Sequence, residues 1–136
     1  MAEDVVETVA ARIEAFVGGR PVYRYAVPPG TLPDAYLVVI ASAGETTSTN
    51  MACLADLRSP FVDVRSVARD VDRSAAARES SWGARRVVDA MTDWRPSLGR
   101  EAHLPKHEAS HPPRPDEDLP DAVMVTVERW TLAYQP

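Results

Sequence analysis

Cysteine and lysine are almost missing from this sequence. Cys53 is the single cysteine in 136 residues. One thiol cannot close an internal disulfide, so a disulfide-stapled secreted scaffold is excluded. Lys106 is the single lysine. The other basic residues are all arginine, which reads as the coding bias of a GC-rich genome. Long hydrophobic runs are missing too. The longest, Ala35 to Ala41, falls far short of the ~20 residues that cross a bilayer. The opening Met1-Ala2-Glu3-Asp4 lacks the basic and apolar regions of a signal peptide. The expected setting is therefore aqueous and reducing, with no membrane contact. Nor is there an excess of positive charge. The net charge of −5 is unsuited to wrapping nucleic acid, which calls for a basic patch.

What is present suits one ordinary globular domain, expected to span residues 1–136. The chain is 45% hydrophobic and 26% charged, as in typical soluble domains. At this length it can bury enough surface to fold without metal or disulfide.

Periodicity gives the element order. Val5, Val6, Val9, Ile13 and Phe16 form one apolar stripe on a helix over Glu3 to Phe16. Glu3, Asp4 and Glu7 suit its N-terminal dipole, and Gly18-Gly19 ends it. Tyr23, Tyr25 and Val27 alternate as a strand, and the Pro-rich stretch 27–34 turns. Ala35 to Ala41 is apolar on both faces, the mark of a strand covered on both sides. Ser42 to Asn50 reads as a connection, the tip of a hairpin. Met51 to Arg58 is expected as a strand, with Cys53 a small core residue in it. Phe61 to Ala68 is a clearer strand, with Val62 and Val64 inward and Asp63 and Arg65 on a wet face.

Asp72 can cap a second helix that runs to Trp94. Its inner face is small at Ala76, Ser80 and Gly83 and larger at Val87 and Met91, so its first half should approach a sheet closely. The stretch 98–121 carries five prolines and excess acid, and is expected to be a long mobile loop. Ala122 to Tyr134 closes the chain as a strand. Val123, Val125 and Val127 share one face, and Trp130, Leu132 and Tyr134 share the other. Either a bulge near Glu128-Arg129 aligns the two sets, or they bury against different partners. The expected fold is α+β: a mostly antiparallel sheet of about four strands, with the N-terminal helix and the long second helix packed on it.

Catalytic and metal motifs are hard to find. His103, His107 and His111 are four apart, but Pro105 and Pro112-Pro113 break the helix that would align them. They are expected to be solvated loop residues, not metal ligands. Cys53 has no visible base to activate it. There is no nucleophile elbow, phosphate loop or dinucleotide fingerprint. No cofactor, metal or catalytic residue is expected, and the chain is not expected to be an enzyme. The arginines between Arg65 and Arg95 alternate with Asp63, Asp70, Asp72 and Glu79, which favours a solvated or subunit-pairing face over a nucleic-acid site.

Aromatic residues are the richer signal. Tyr and Trp concentrate at interface hot spots. Trp130, Leu132, Tyr134, Tyr23 and Tyr25 are the candidate interface residues, with core filling the alternative for each. Asp116, Glu117 and Asp118 are consecutive among prolines, and such an acidic run is usually solvated.

The chain resembles the small tail terminator (tail completion) proteins of long-tailed bacteriophages. The resemblance lies in an amphipathic helix, Asp4 to Phe16, and then Tyr23-Arg-Tyr-Ala-Val-Pro-Pro-Gly30 leading to Tyr36-Leu-Val-Val-Ile40. Phe61-Val-Asp-Val-Arg-Ser-Val-Ala68 follows and runs into the helix Ser74 to Met91, and a last strand contains Glu128-Arg-Trp130. It implies a homo-oligomeric ring, of six copies, that caps the tail tube and joins it to the head in the virion. The implied partners are the tail tube protein and the head–tail connector proteins. DNA would pass through the lumen without specific binding, and an acidic wall suits that passage; in such a ring Glu108, Asp116, Glu117 and Asp118 are the candidates for a lumen-facing or docking loop. Another head–tail joining protein, or a small oligomeric α+β ligand-binding or regulatory module, would show the same element order.

Overall fold

The computed structural model describes residues 4–42, 45–48, 56–115 and 123–135. Two helices pack on a mostly antiparallel sheet, the expected α+β class, but the strands are more numerous than the sequence suggested. In order they are α1 (Val5–Glu14), β1 (Val22–Arg24), β2 (Ala35–Ala41), β3 (Glu45–Ser48), β4 (Asp56–Ser59), β5 (Phe61–Arg69), α2 (Arg73–Met91), β6 (Glu101–Ala102), β7 (Lys106–Pro115), β8 (Val123–Thr131) and β9 (Tyr134–Gln135). They form a five-stranded sheet, β1-β2-β5-β8-β7, and a four-stranded one, β3-β4-β9-β6. All main-sheet pairs are antiparallel except β1 with β2.

Both helices start at a side-chain cap. The Asp4 carboxylate accepts from Glu7 N at 3.0 Å, and the Asp72 carboxylate accepts from Ser74 N at 2.9 Å. α1 lies over β1 and β2, and α2 lies over β5 and β8 and reaches β7. Val6, Val9 and Ile13 of α1 meet Leu37, Val39, Val62 and Val64 of the sheet and Val87 and Met91 of α2 in one core.

The first half of α2 approaches the sheet as closely as its small residues allow. Ser80 Oγ donates to Ser66 O at 2.7 Å and lies 2.6 Å from Thr126 Oγ1. A Cβ on Gly83 would lie 2.1 Å from Ser66 Oγ, so only glycine fits there.

Two sequence expectations change here. Residues 45–48, expected at a hairpin tip, form β3 and pair with β4. The stretch 98–121, expected to be a mobile loop, contains β6 and the ten-residue β7, which pairs with β8 along most of its length. Pro112, Pro113 and Pro115 are compatible with β7 because it is an edge strand, where missing amide donors leave no ladder bond unmade. The register of β7 slips twice, between His107 and Ala109 and between His111 and Arg114. The second slip holds Pro112-Pro113, so the bulge absorbs residues that cannot donate. Cys53, most of the expected strand from Met51, and Asp116, Glu117 and Asp118 lie outside the described residues.

β8 has no bulge against β5: it runs unbroken from Phe61↔Thr131 to Arg69↔Val123. Its two apolar sets therefore bury on opposite faces. Trp130, with Leu132 and Tyr134 beyond the strand, joins the helix-side core. Val123 joins a smaller cluster with Tyr36, Val38 and Val67 on the other face, where Tyr23, Leu32, Ile40 and Val125 also pack. That face is apolar at one end. At the other end, Arg129 grips Asp63 in a two-pronged ion pair at 2.7 and 2.9 Å.

Candidate functional site

The main sheet places chemically distinct groups at its two ends. At the β1 end, the chain leaves the strand at Tyr25, whose φ is +71°. A non-glycine residue costs about 1–2 kcal/mol in this left-handed region. Tyr25 N donates to Val39 O at 2.9 Å, and its hydroxyl donates to Asp4 Oδ1 at 2.7 Å. The ring remains 57% exposed. The two hydrogen bonds, from Glu7 N and then from the Tyr25 hydroxyl, hold the Asp4 carboxyl below the usual carboxylate range. The same bond to Asp4 pushes the Tyr25 phenol upward. Beside them, Arg24 bridges Glu7 and Glu14. Its bond to Glu7 is the main reason that its guanidinium is held still more firmly protonated. Among the described residues, this end carries three carboxylates, Asp4, Glu7 and Glu14, against one guanidinium.

At the β7 end, a groove of about 320 Å³ runs between α2 and β7. Ala84, Val88, Pro112 and Pro113 line it with apolar surface, and Arg85 and His111 add charge and a ring. Glu128 is one of its deepest groups, only 4% exposed. Its carboxylate lies 2.6 Å from His107 Nε2 and accepts from Ser110 Oγ at 2.6 Å. The His107 ring stacks on Trp130 at 4.3 Å between centroids. This trio is not arranged as a nucleophilic triad. Ser110 bonds the carboxylate and not the imidazole, so the histidine is not placed to take its proton as in a triad.

Along the outer face of α2, the groove continues into a shallow surface lined by Arg78, Ser81, Trp82 and Arg85. Trp82 is 42% exposed, and the Arg20 guanidinium lies 4.3 Å from its ring centre. Arg20 pairs with Glu79, and Arg86 pairs with Asp89. No ion pair holds Arg78 or Arg85 among the described residues.

The candidate interface residues fall in different places. Trp130, Leu132 and Tyr134 are buried in the helix-side core of their own chain. Tyr23 is half-buried, edge-on to Tyr36 at 5.6 Å. Tyr25 is the one that faces outward. Glu108 sits at the first bulge of β7, accepting from Thr131 Oγ1 at 2.8 Å and 3.7 Å from Lys106 Nζ. His107 lies in a strand and not a loop, and although exposed, its ring is held by Glu128 and Trp130. His103 and His111 are exposed. Among the described residues, no three His, Cys, Asp or Glu side chains converge as a metal site requires. No helix among them is long and apolar enough to cross a membrane.

Sequence reasoning missed the Glu128–His107 pair and the groove above it. Residues 107 and 128 meet only because β7 and β8 pair in one register, which the polar, proline-rich sequence of β7 does not advertise.

Comparison with known proteins finds no matching family model and no matching curated protein. Among solved structures, a chain from the virion of a native gene transfer agent particle has the same fold. The match covers 97% of this chain and 95% of that one, with a TM-score of 0.73 and 14% identity. At that identity, what is shared is the fold, end to end.

Proposed function

We propose that this chain is a structural protein of a phage-like virion: a single-domain tail terminator whose copies close into a ring, six in number. The ring caps the tail tube at its head-proximal end and joins it to the head. The tail tube protein and the connector proteins are its partners, and DNA passes through the lumen without specific binding. The role needs no cofactor and no catalysis. The observation that carries this reading is the fold shared along nearly the whole of both chains with a virion component. The element order that resembles tail terminators supports it. Negative-stain electron microscopy and mass photometry of the purified chain test it. Closed rings are expected as concentration rises. A chain that stays monomeric at every concentration and does not bind tail tubes overturns the reading.

A further inference from the structure

If copies close into a ring, each must present two different surfaces that fit one another, because head-to-tail contacts are heterologous. The sheet order puts β1 and β7 at opposite ends of the main sheet, and those ends differ in charge. We propose that the acidic α1–β1 end of one copy docks on the groove between α2 and β7 of the next and on the surface of Arg78 and Arg85 that continues it, with the neighbour's Tyr25 as its anchor.

Three observations converge. The first is charge. Among the described residues, three carboxylates face one guanidinium at the β1 end, while Arg85 in the groove and Arg78 on the surface that continues it lack an ion-pair partner. Glu128 in the groove is already engaged by His107 and Ser110, and Glu79 and Asp89 by Arg20 and Arg86. The nearby carboxylates are thus occupied, and the incoming end, where Glu7 and Glu14 share the single Arg24, brings an excess of negative charge for Arg78 and Arg85 to meet. Complementary patches of this kind set partner and register.

The second is shape. A groove of about 320 Å³ lies at the low end of the roughly 300–1,000 Å³ typical of binding pockets. Its apolar walls, from Ala84, Val88, Pro112 and Pro113, and its hydroxyls, from Ser81, Ser110 and Thr126, suit an aromatic side chain with a hydroxyl. Tyr25 presents a ring, and its hydroxyl is tied to the Asp4 carboxylate, so a ring and a negative charge arrive together.

The third is strain. Tyr25 is exposed and yet held at a positive φ. The turn serves the isolated chain by bringing the Tyr25 hydroxyl to Asp4, and it also leaves the ring exposed at the edge of the body, where a second copy can reach it. Pre-set aromatics anchor interfaces at low entropic cost.

This inference rests on the ring reading, and the experiment separates the two. One variant reverses the groove, Arg78→Glu with Arg85→Glu. Another reverses the acidic end, Glu7→Arg with Glu14→Arg. Mass photometry of each alone should show self-association weakened at least tenfold, with circular dichroism unchanged. Mixed one to one, the two should assemble again, because each then meets its complement on both sides. A third variant, Tyr25→Gly, relieves the positive φ. It should melt no lower than the parent by more than a few degrees and still fail to assemble. Rings from the parent together with unimpaired assembly of the variants, or no recovery in the mixture, overturn the docking proposal and leave the ring reading standing. A parent chain that never assembles overturns both.

Discussion

β5 and β7 flank the same strand, yet β5 meets β8 in one unbroken register and β7 slips twice against it. The difference follows from what lies above each. Val62 and Val64 of β5 are fully buried beneath the helices. A one-residue slip there would turn them to the opposite face, so packing allows one register only. β7 is exposed along most of its length. Its register is held by a few polar contacts: His107 and Ser110 to Glu128, and Thr131 to Glu108. With little apolar burial to lose, bulges and prolines cost it little. The centre of the sheet is thus specified by volume, and its end by hydrogen bonds and proline. Prolines also keep an exposed edge from recruiting stray strands.

Substitution in the centre should have the largest effect. Val64→Ala removes two buried methyl groups beneath α2 and leaves a cavity. At about 0.8 kcal/mol per buried methylene plus a cavity term, the loss should be about 2–3 kcal/mol. Urea denaturation followed by circular dichroism measures it. A loss under about 0.5 kcal/mol would mean that the centre is no more tightly packed than the edge, and the contrast would collapse.

The boundary between the two regions runs through Glu128, a buried carboxylate on β8 that serves β7. Glu128→Ala leaves Ser110 and His107 without their acceptor, although both can turn toward water. About 1–2 kcal/mol should be lost in the same denaturation assay. Hydrogen exchange sharpens the test. Amides of Ala109 and His111 should exchange faster in the variant, while those of Val62 and Val64 keep their protection. Uniform loss across both strands would show that β7 is coupled to the core after all.

The same contrast explains what the sequence disclosed. Ala35–Ala41 could be read as a strand to the residue, because an apolar segment bounded by Asp34 and Ser42 has one physical use. α2 was legible from Asp72 as its cap and from the small-then-large series on its inner face. β7 was not legible, because its polar side chains and prolines match those of a solvated loop, and only its neighbour makes it a strand. The end of β1 escaped for a related reason. Alternation through Val27 suggested a longer strand, but Tyr25 turns left-handed to reach Asp4, a contact between residues 21 apart in sequence. By sequence alone, Trp130, Leu132 and Tyr134 suit an interface or a core equally. They became core once β8 proved unbroken, because its two faces then bury on opposite sides of the sheet.

The smallest effect should appear at the other end of the sheet, where Tyr25 and Asp4 share a proton donor and an acceptor. Asp4 is held below the usual carboxylate range, first by the backbone N–H of Glu7 and second by the Tyr25 hydroxyl. A carboxylate depressed in the folded state adds stability above its unfolded pKa, and that stability disappears as pH falls through the folded value. Tyr25 behaves in the opposite sense. Its raised pKa adds stability that is complete below the ordinary tyrosine range and is lost as pH climbs through the folded value. Both groups are exposed, so solvent screens them and the net contribution to stability is slight. The titration itself should still be clear. In Tyr25→Phe, the Asp4 carboxyl, followed by NMR, should titrate at a higher pH than in the parent. It should nevertheless stay below the ordinary carboxylate range, because the larger cause, the Glu7 N–H, remains. A full return to the ordinary range would mean that the tyrosine, and not the helix cap, holds the charge. No change at all would mean that the Tyr25–Asp4 bond is absent in solution, and the aimed ring proposed as an anchor would lose its support.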